Sequence, residues 1–221
     1  MSPDYLGLLS EATRDTLTMV ALSAIIGTVV GLPLGVFLAT SRRGELLAAP
    51  ALNAALGLVV NATRSTPFII LVVAIIPFTR LVAGTSLGTG AAAVPLTVAA
   101  APYIARLVEA AIREVDHGLV EAARAFGASP AQIIRKVLIP EALPGIVLEL
   151  TLAVVSLIGY SAMAGAVGGG GLGDLGIRYG YQRFRPEMMA AVVVVLILLV
   201  QAVQMAGDRL ARRVNRRIRR S

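Results

Sequence analysis

The stretch TLTMVALSAIIGTVVGLPLGVFLAT, residues Thr16 to Thr40, contains no charged side chain and is long enough to cross a lipid bilayer as a helix. About 20 apolar residues span the ~30 Å of hydrocarbon in a typical membrane. Two more runs, Leu150–Gly173 and Met188–Gly207, also carry no charge. With a mean hydropathy of +0.80 and only 15% charged residues, the chain is predicted to be a polytopic membrane protein.

Five membrane-spanning helices are predicted from the alternation of apolar runs and charged residues. They cover Thr16–Ala39, Ala54–Ile76, Ala91–Ile112, Pro144–Val167 and Met188–Ala206. Prolines interrupt the first three, which favours a packed bundle, because neighbouring helices must satisfy the backbone groups that a proline frees. The predicted fold class is therefore all-α, with five transmembrane helices and one polar interval that can hold a helix–turn–helix.

The distribution of arginine orients the chain in the membrane. Residues 1–207 hold thirteen Lys and Arg against twelve Asp and Glu, whereas seven arginines and one aspartate lie from Asp208 onward. A basic segment after an apolar span marks the cytoplasmic face. Residues 206–221 are therefore predicted to form a cytoplasmic tail that meets membrane lipids and not nucleic acid, and residues 1–11 an outer N-terminal segment. One outer loop departs from the rule with Arg178, Arg183 and Arg185.

Several catalytic chemistries lack the residues that they need. The chain has no cysteine, and its single histidine, His117, has no second histidine to share a metal ion. Its single lysine, Lys136, does not stand in a G-x-x-x-x-G-K-[ST] loop, so no cofactor is predicted in this chain. Gly171–Gly176 matches G-x-G-x-x-G, but it follows a membrane span instead of a strand. We interpret it as a flexible glycine hinge.

The largest polar interval of the chain reads EAARAFGASPAQIIRKVLIPEALPG, from Glu121 to Gly145. Two short helices separated by a sharp break are predicted in and just before it. Asp116 can cap the first helix, and Gly127 suits the left-handed conformation that ends it. Ser129 and Gln132 supply a capping box for the second helix. Such organisation exceeds what a simple connector needs.

Each of these short helices has an apolar face that needs a partner other than water. On the first helix this face holds Leu119, Ala122, Ala123 and Phe126. On the second, which Pro140 is expected to stop, it holds Ile133, Ile134, Val137 and Leu138. The interval could rest on the bilayer as an interfacial loop, or it could dock on a cytoplasmic protein.

The spacing of Glu121-Ala-Ala, Gly127 and Ile139-Pro140 resembles the EAA loop of permease subunits of ABC importers, which docks on a cytoplasmic ATPase subunit. Three other segments are similar to the methionine-type subfamily. They are RSTPFIILVVAIIPFTR (Arg64–Arg80), VPLTVAAAPYIARLVE (Val94–Glu109) and GYSAMAGAVGGGGLG (Gly159–Gly173). The likeness covers roughly residues 12 to 208, which is nearly the whole chain.

The resemblance implies a type I permease domain over residues 12–205, with a coupling loop at 113–143. It implies a homodimer in the bacterial inner membrane, two ABC ATPase subunits that bind ATP and Mg²⁺, and a periplasmic methionine-binding lipoprotein that delivers D- and L-methionine. The residues that it assigns to ATPase docking are Glu121, Ala122, Ala123, Phe126, Gly127, Ser129, Ile133, Ile134, Val137, Leu138 and Pro140.

Polar groups within the predicted spans are candidates for a transport pathway, namely Arg64, Tyr160, Ser161 and Met163. An unpaired charge at mid-bilayer costs about 2.5–3.5 kcal/mol. Arg64 should therefore face the interior, either lining a pathway or in a structural ion pair with Glu149. The three candidates in the fourth span stand among small residues, which also suit close helix packing. Arg106 and Glu109, three residues apart, predict a local ion pair.

Other functions stay open at this point. The chain could be a permease for another small amino acid, or a scaffold or insertase-like protein that recruits a cytoplasmic partner without moving a solute. A scaffold would not need spans broken by proline and glycine. An intramembrane enzyme is disfavoured, because Ser161 has no histidine partner in any span and no pair of intramembrane aspartates exists.

Overall fold

This computed structural model describes the backbone of residues 3–218 and the side chains of residues 5–215. Residues 3–218 form helices and connecting loops, with no strand. Two π-helical segments, π1 and π2, accompany the α-helices. In chain order the elements are α1 (Pro3–Thr40), α2 (Pro50–Ser65), α3 (Phe68–Ala74), α4 (Ile76–Ala83), α5 (Thr89–Arg113), α6 (His117–Ala125), α7 (Pro130–Ile133), π1 (Ile134–Leu138), α8 (Ile139–Ala166), α9 (Gly171–Leu175), π2 (Gly176–Tyr181) and α10 (Pro186–Ile218).

Four helical stretches in the described chain are long and apolar enough to cross a membrane. They are α1, α5, the continuous stretch from α7 to α8, and α10. The bent pair of α2 and α3 passes the same test and brings the number to five. The all-α membrane fold is therefore confirmed. The first span is longer than predicted, because α1 begins at Pro3 and not at Thr16.

The second span, Ala54–Ile76, is wrong as a single straight helix. Its residues form α2 and α3, which are bent by 103° relative to one another. Thr66 lies between them with a ψ of 123°, because the ring of Pro67 disfavours the α conformation for the residue before it. The length of an apolar run does not reveal such a bend.

Glycines spaced four residues apart bring α1 close to α5. A Cβ added to Gly31 would lie 2.6 Å from the carbonyl oxygen of Ala101, and one added to Gly35 would lie 2.5 Å from that of Ala105. Small residues at a helix interface allow backbones to approach in this way. The hydrophobic core lies between α1, α5 and α8, and α10 packs on the outside of α8.

The Gly-rich segment after α8 is tightly packed and is not the free hinge that we predicted. Gly171 has a φ of 73°, a conformation that favours glycine, and here the chain turns back into α9. The backbone N–H of Leu172 donates to Thr16 Oγ1 at 2.9 Å. A Cβ on Gly173 would overlap the backbone of Ala162. The segment is therefore held between α1 and α8.

Candidate docking surface and pathway face

The first short helix, α6, begins and ends as the sequence predicts. The side chain of Asp116 accepts a hydrogen bond from the backbone N–H of Gly118 at 2.7 Å and caps the helix. Gly127 follows the helix with a φ of 76°. Its N–H donates to the carbonyl oxygen of Arg124 at 2.9 Å, and the N–H of Ala128 donates to that of Ala123 at 3.1 Å. These bonds satisfy carbonyl groups that a helix end leaves free.

The second short helix, α7, has the predicted capping box. The N–H of Gln132 donates to Ser129 Oγ at 3.4 Å, and the N–H of Ser129 donates to Gln132 Oε1 at 2.8 Å. Pro130 occupies the first turn, where its missing N–H costs nothing. The break between α6 and α7 is therefore fixed by local interactions on both sides.

The expectation that Pro140 stops this helix is wrong. α7 passes through π1 into α8, so that Pro130–Ala166 is one continuous helical stretch. In π1 the backbone N–H of Ile139 donates to the carbonyl oxygen of Ile134, five residues earlier. This wider turn precedes Pro140 and gives its ring room where an α-helical turn would clash. The second short helix is thus the start of a helical stretch long and apolar enough to cross a membrane.

The outer side of α6 is a free surface. None of the residues of α6 is buried, and the side chain of Phe126 is 92% exposed. The exposed Leu119, Ala122 and Phe126 share the apolar face of the helix, and an exposed apolar face suits interaction with a partner. We call the exposed set the docking surface, and it comprises Leu119, Glu121, Ala122 and Phe126.

Part of the predicted docking set packs inside the chain instead. Ile133 and Leu138 are buried in the main hydrophobic core, and the half-buried Ala123, Ile134 and Val137 pack against it. These side chains attach the helix pair to the bundle. Of the remaining predicted docking residues, Gly127, Ser129 and Pro140 are exposed.

A network of charged side chains joins α5 to α2 and to the loop that follows α1, beside the helix pair. The predicted ion pair is confirmed, with Arg106 Nη1 at 2.5 Å from Glu109 Oε2. Arg42 Nη2 lies 2.8 Å from the other oxygen of Glu109. Arg106 also donates to the carbonyl oxygen of Gly57 at 3.0 Å and to Asn61 Oδ1 at 3.1 Å. We call Arg42, Arg106 and Glu109 the charged network.

Two of the candidate pathway residues lie on one face of α8. Tyr160 stacks on Phe68 of α3, with ring centroids 4.7 Å apart and planes 9° apart, and Met163 is about half exposed. Ser156, one turn before Tyr160, donates to the hydroxyl of Tyr103 of α5 at 3.4 Å. Spacings of three and four residues place all three α8 side chains on the same side. We call this the pathway face.

The structure separates Ser161 from the pathway face. Its side chain is buried, and its hydroxyl donates to the carbonyl oxygen of Ile158 at 2.7 Å. One step along a helix turns a side chain by about 100°, so Ser161 lies inside the subunit while the neighbouring Tyr160 is half-buried against Phe68 and Met163 is half exposed. Its position agrees with the alternative that small residues here serve helix packing.

Arg64 is exposed near the pathway face. Its Cζ lies 5.8 Å from the centroid of the Tyr103 ring, so the ring and not a carboxylate is its neighbour. Among the described residues there is no ion pair between Arg64 and Glu149, and Glu149 Oε2 is buried without a hydrogen-bond partner. Phe68, Tyr103 and Ser156 were not predicted, although polar and aromatic residues in apolar spans could have pointed to them.

Long apolar helices around one core, with an exposed helix pair at one end, define this chain as an α-helical, polytopic membrane protein. A family comparison then gives its place among such proteins. The chain belongs to the family of binding-protein-dependent transport system inner membrane components, which matches residues 31–220.

Individual relatives match over most of their length. The chain is 57% identical over 210 residues to the MetI protein of Vibrio cholerae, covering 95% of this chain and 93% of that protein. It is 52% identical over 165 residues to the D-methionine transport system permease protein MetI of Escherichia coli strain K12, covering 75% and 76%.

Solved structures agree with these relatives. A chain of the MetNI methionine ABC transporter in an inward-facing conformation matches with a TM-score of 0.94 and 51% identity, over 97% of this chain and 99% of that chain. An amino acid ABC transporter crystallised with histidines matches with a TM-score of 0.80 at 20% identity. The second likeness concerns the fold alone.

Proposed function

We propose that the chain is the permease subunit of an ATP-driven importer and forms the membrane pathway for D- and L-methionine. The identity to the Escherichia coli D-methionine permease and the likeness to the methionine ABC transporter support this assignment. Two copies of the chain enclose the path as a homodimer. Two ATPase subunits bind ATP and Mg²⁺, and a periplasmic methionine-binding lipoprotein delivers the substrate.

The proposed orientation places the docking surface in the cytoplasm of the bacterial inner membrane. With an odd number of crossings, the N-terminus lies outside and the C-terminus inside. The arginines that follow Asp208 support this orientation, since basic residues after a span favour the cytoplasmic side. The same side then holds the helix pair, where an ATPase can reach it.

The exposed Phe126 on α6 is the observation that carries the proposal. Phe126 is 92% exposed and shares the exposed apolar face of α6 with Leu119 and Ala122, which suits contact with a partner. Aromatic side chains that enter a pocket of a partner supply much of the energy of protein–protein association. An ATPase subunit with an apolar cleft is the partner that fits this surface.

The connections of the helix pair suit the transmission of movement. Only residues 114–116 separate α5 from α6, and α7 continues through π1 into α8. When ATP binding closes the ATPase dimer, the docked α6 and α7 move with it, and α5 and α8 rock as extended levers. Since α8 carries Tyr160 and Met163, the movement reaches the pathway face directly.

The proposed pathway is lined by Arg64, Tyr160 and Met163 near the twofold axis of the homodimer. Phe68 and Tyr103 complete this face by stacking and hydrogen bonding. An aromatic and thioether surface suits the apolar side chain of methionine, and Arg64 could meet its carboxylate. Ser161 is left out of this proposal, because its side chain is buried within the subunit.

Transport of labelled methionine into vesicles that contain all the subunits tests the proposed function. We expect ATP-dependent uptake that unlabelled D- and L-methionine suppress and that other small amino acids do not. Uptake of another amino acid in preference to methionine would show that this amino acid, and not methionine, is the substrate. The absence of any ATPase from the copurified complex, together with the absence of uptake, would favour a scaffold instead.

Replacing Phe126 with alanine is expected to weaken association with the ATPase at least roughly thirtyfold, the loss typical of an interface hot spot worth about 2 kcal/mol. Copurification and titration of the ATPase subunit against the detergent-solubilised permease measure this loss. The matched control is Phe184→Ala. Phe184 is 86% exposed but lies just before α10, at the end of the helix bundle opposite to α6. Equal ATPase binding by the two variants would contradict docking through Phe126.

A further inference from the structure

The last helix, α10, is longer than a membrane requires. It runs for 33 residues from Pro186 to Ile218, which corresponds to about 50 Å at 1.5 Å per residue. The uncharged part, Met188–Gly207, already accounts for the ~30 Å of hydrocarbon. The helix therefore continues without a break beyond the hydrocarbon, and this continuation begins at Asp208.

One side of the continuation is held against the bundle. A Cβ on Gly207 would collide with the side chain of Thr151 on α8, so the two helices touch at this level. One turn further on, Ala211 is buried. Gly207 and Ala211 are four residues apart and share a face. The continuation is thus held in place, with one side packed on the subunit.

The opposite side of this continuation of α10 carries three arginines. At about 100° per residue, Arg209, Arg212 and Arg213 fall within an arc of about 100° that lies opposite Ala211. All three side chains are exposed. Within residues 5–215, no ion pair involves any of them, and the one acidic residue in this part of the helix is the half-buried Asp208. We call these three residues the arginine face.

We propose that the arginine face binds the phosphate groups of anionic phospholipids. Arg209, Arg212 and Arg213 follow the end of the hydrocarbon by about 3 to 9 Å along the helix, at 1.5 Å per residue. The headgroup layer occupies the first ~5–7 Å beyond the hydrocarbon on each side. The guanidinium groups therefore stand at the depth of lipid phosphates, which they bind through paired N–H donors.

The depth of the three arginines relative to the hydrocarbon also favours a lipid over a protein as their partner. An acidic protein surface, such as that of an ATPase subunit, would approach from the water and meet residues beyond the headgroups. Arg209 in particular is only two residues past Gly207, at the edge of the hydrocarbon, where the side of the helix that does not pack on α8 faces phospholipids. Each basic residue near an anionic membrane surface strengthens binding by roughly a factor of five, equivalent to about 1 kcal/mol. This inference does not depend on what the chain transports.

Binding of fluorescent phosphatidylglycerol to the detergent-solubilised full chain tests the inference. The combined variant Arg209→Gln, Arg212→Gln, Arg213→Gln is expected to bind at least roughly tenfold more weakly, a conservative figure for three sites of this kind. Replacing the same three residues with lysine should keep most of the binding. The control changes three arginines away from the arginine face to glutamine, namely Arg178 of π2 and Arg183 and Arg185 of the segment between π2 and α10.

The arms of the experiment separate the possible sources of the phosphate. Competition by unlabelled phosphatidylglycerol, with little competition by phosphatidylcholine or by glycerol phosphate, supports the inference. Equal competition by free glycerol phosphate would overturn it in favour of a soluble ligand. Undiminished lipid binding in the glutamine variant would also overturn it, provided that gel filtration shows the variant folded. Loss of ATPase binding in the glutamine variant, with lipid binding unchanged, would overturn the inference in favour of a protein partner.

Discussion

Arg106→Met is expected to destabilise the folded chain by about 3 kcal/mol, the lower end of the cost of breaking a buried ion pair. The side chains of Arg106 and Glu109 are only 20% and 5% exposed. The substitution leaves the Glu109 carboxylate buried with a single partner. It also removes the hydrogen bonds from Arg106 to Gly57 and Asn61, which join α5 to α2.

Unfolding of the purified chain by sodium dodecyl sulfate, followed by circular dichroism, measures this effect. Arg42→Met is the matched control, because Arg42 makes one bond to the same carboxylate but is 44% exposed. An exposed ion pair contributes at most about 1 kcal/mol. The double variant Arg106→Met, Glu109→Met should recover part of the loss, since an apolar pair can replace a buried ion pair. Equal losses for Arg42 and Arg106, without recovery, would contradict this role of the network.

Features that depend on neighbours in the sequence could be predicted. The capping box of Ser129 and Gln132 and the cap at Asp116 involve residues two or three apart, and each has the predicted partner. The pair of Arg106 and Glu109 is of the same kind. Hydrophobic length likewise predicts the spans, because the thickness of hydrocarbon is a property of the membrane and not of the fold.

Features that depend on distant residues could not be predicted. Glu109 also binds Arg42, which is 67 residues away, and no local spacing indicates that contact. Pro140 was expected to end a helix, as proline does after an α-helical turn. The wider turn of π1 before Pro140 keeps the helix from α7 to α8 continuous. This π-helical turn is a property of the packed structure and is not indicated by the local sequence.

The division of the docking residues follows from the same distinction. Sequence periodicity identifies an apolar face on each short helix, but it does not show which face is covered by the rest of the chain. Only the packed structure distinguishes Ile133, which enters the core, from Phe126, which stays exposed. On α8, adjacent residues differ in the same way, with Tyr160 on the pathway face and Ser161 inside the subunit.

Gly127→Val is expected to lower both methionine uptake and substrate-stimulated ATP hydrolysis at least roughly tenfold in the reconstituted complex, while membrane insertion stays normal. The φ of Gly127 is 76°, and a β-branched residue is a true outlier there. Such strain costs about 1–3 kcal/mol. Among the described residues no atom lies within 4 Å of an added Cβ, so the strained backbone conformation and not the Cβ itself is the expected cause.

Relief of that strain would turn α6 relative to α7 and displace Phe126 from the ATPase, because the left-handed turn at Gly127 links the two helices. Gly127→Asn is the matched control, since asparagine is tolerated in the left-handed conformation and its Cβ, like that of valine, meets no neighbouring atom. We expect this variant to keep most of the uptake and to hydrolyse ATP nearly as the parent chain does. If the valine variant transports methionine with normal coupling, the angle between α6 and α7 does not transmit the movement of the ATPase. The proposed lever from the docking surface to α8 would then be wrong.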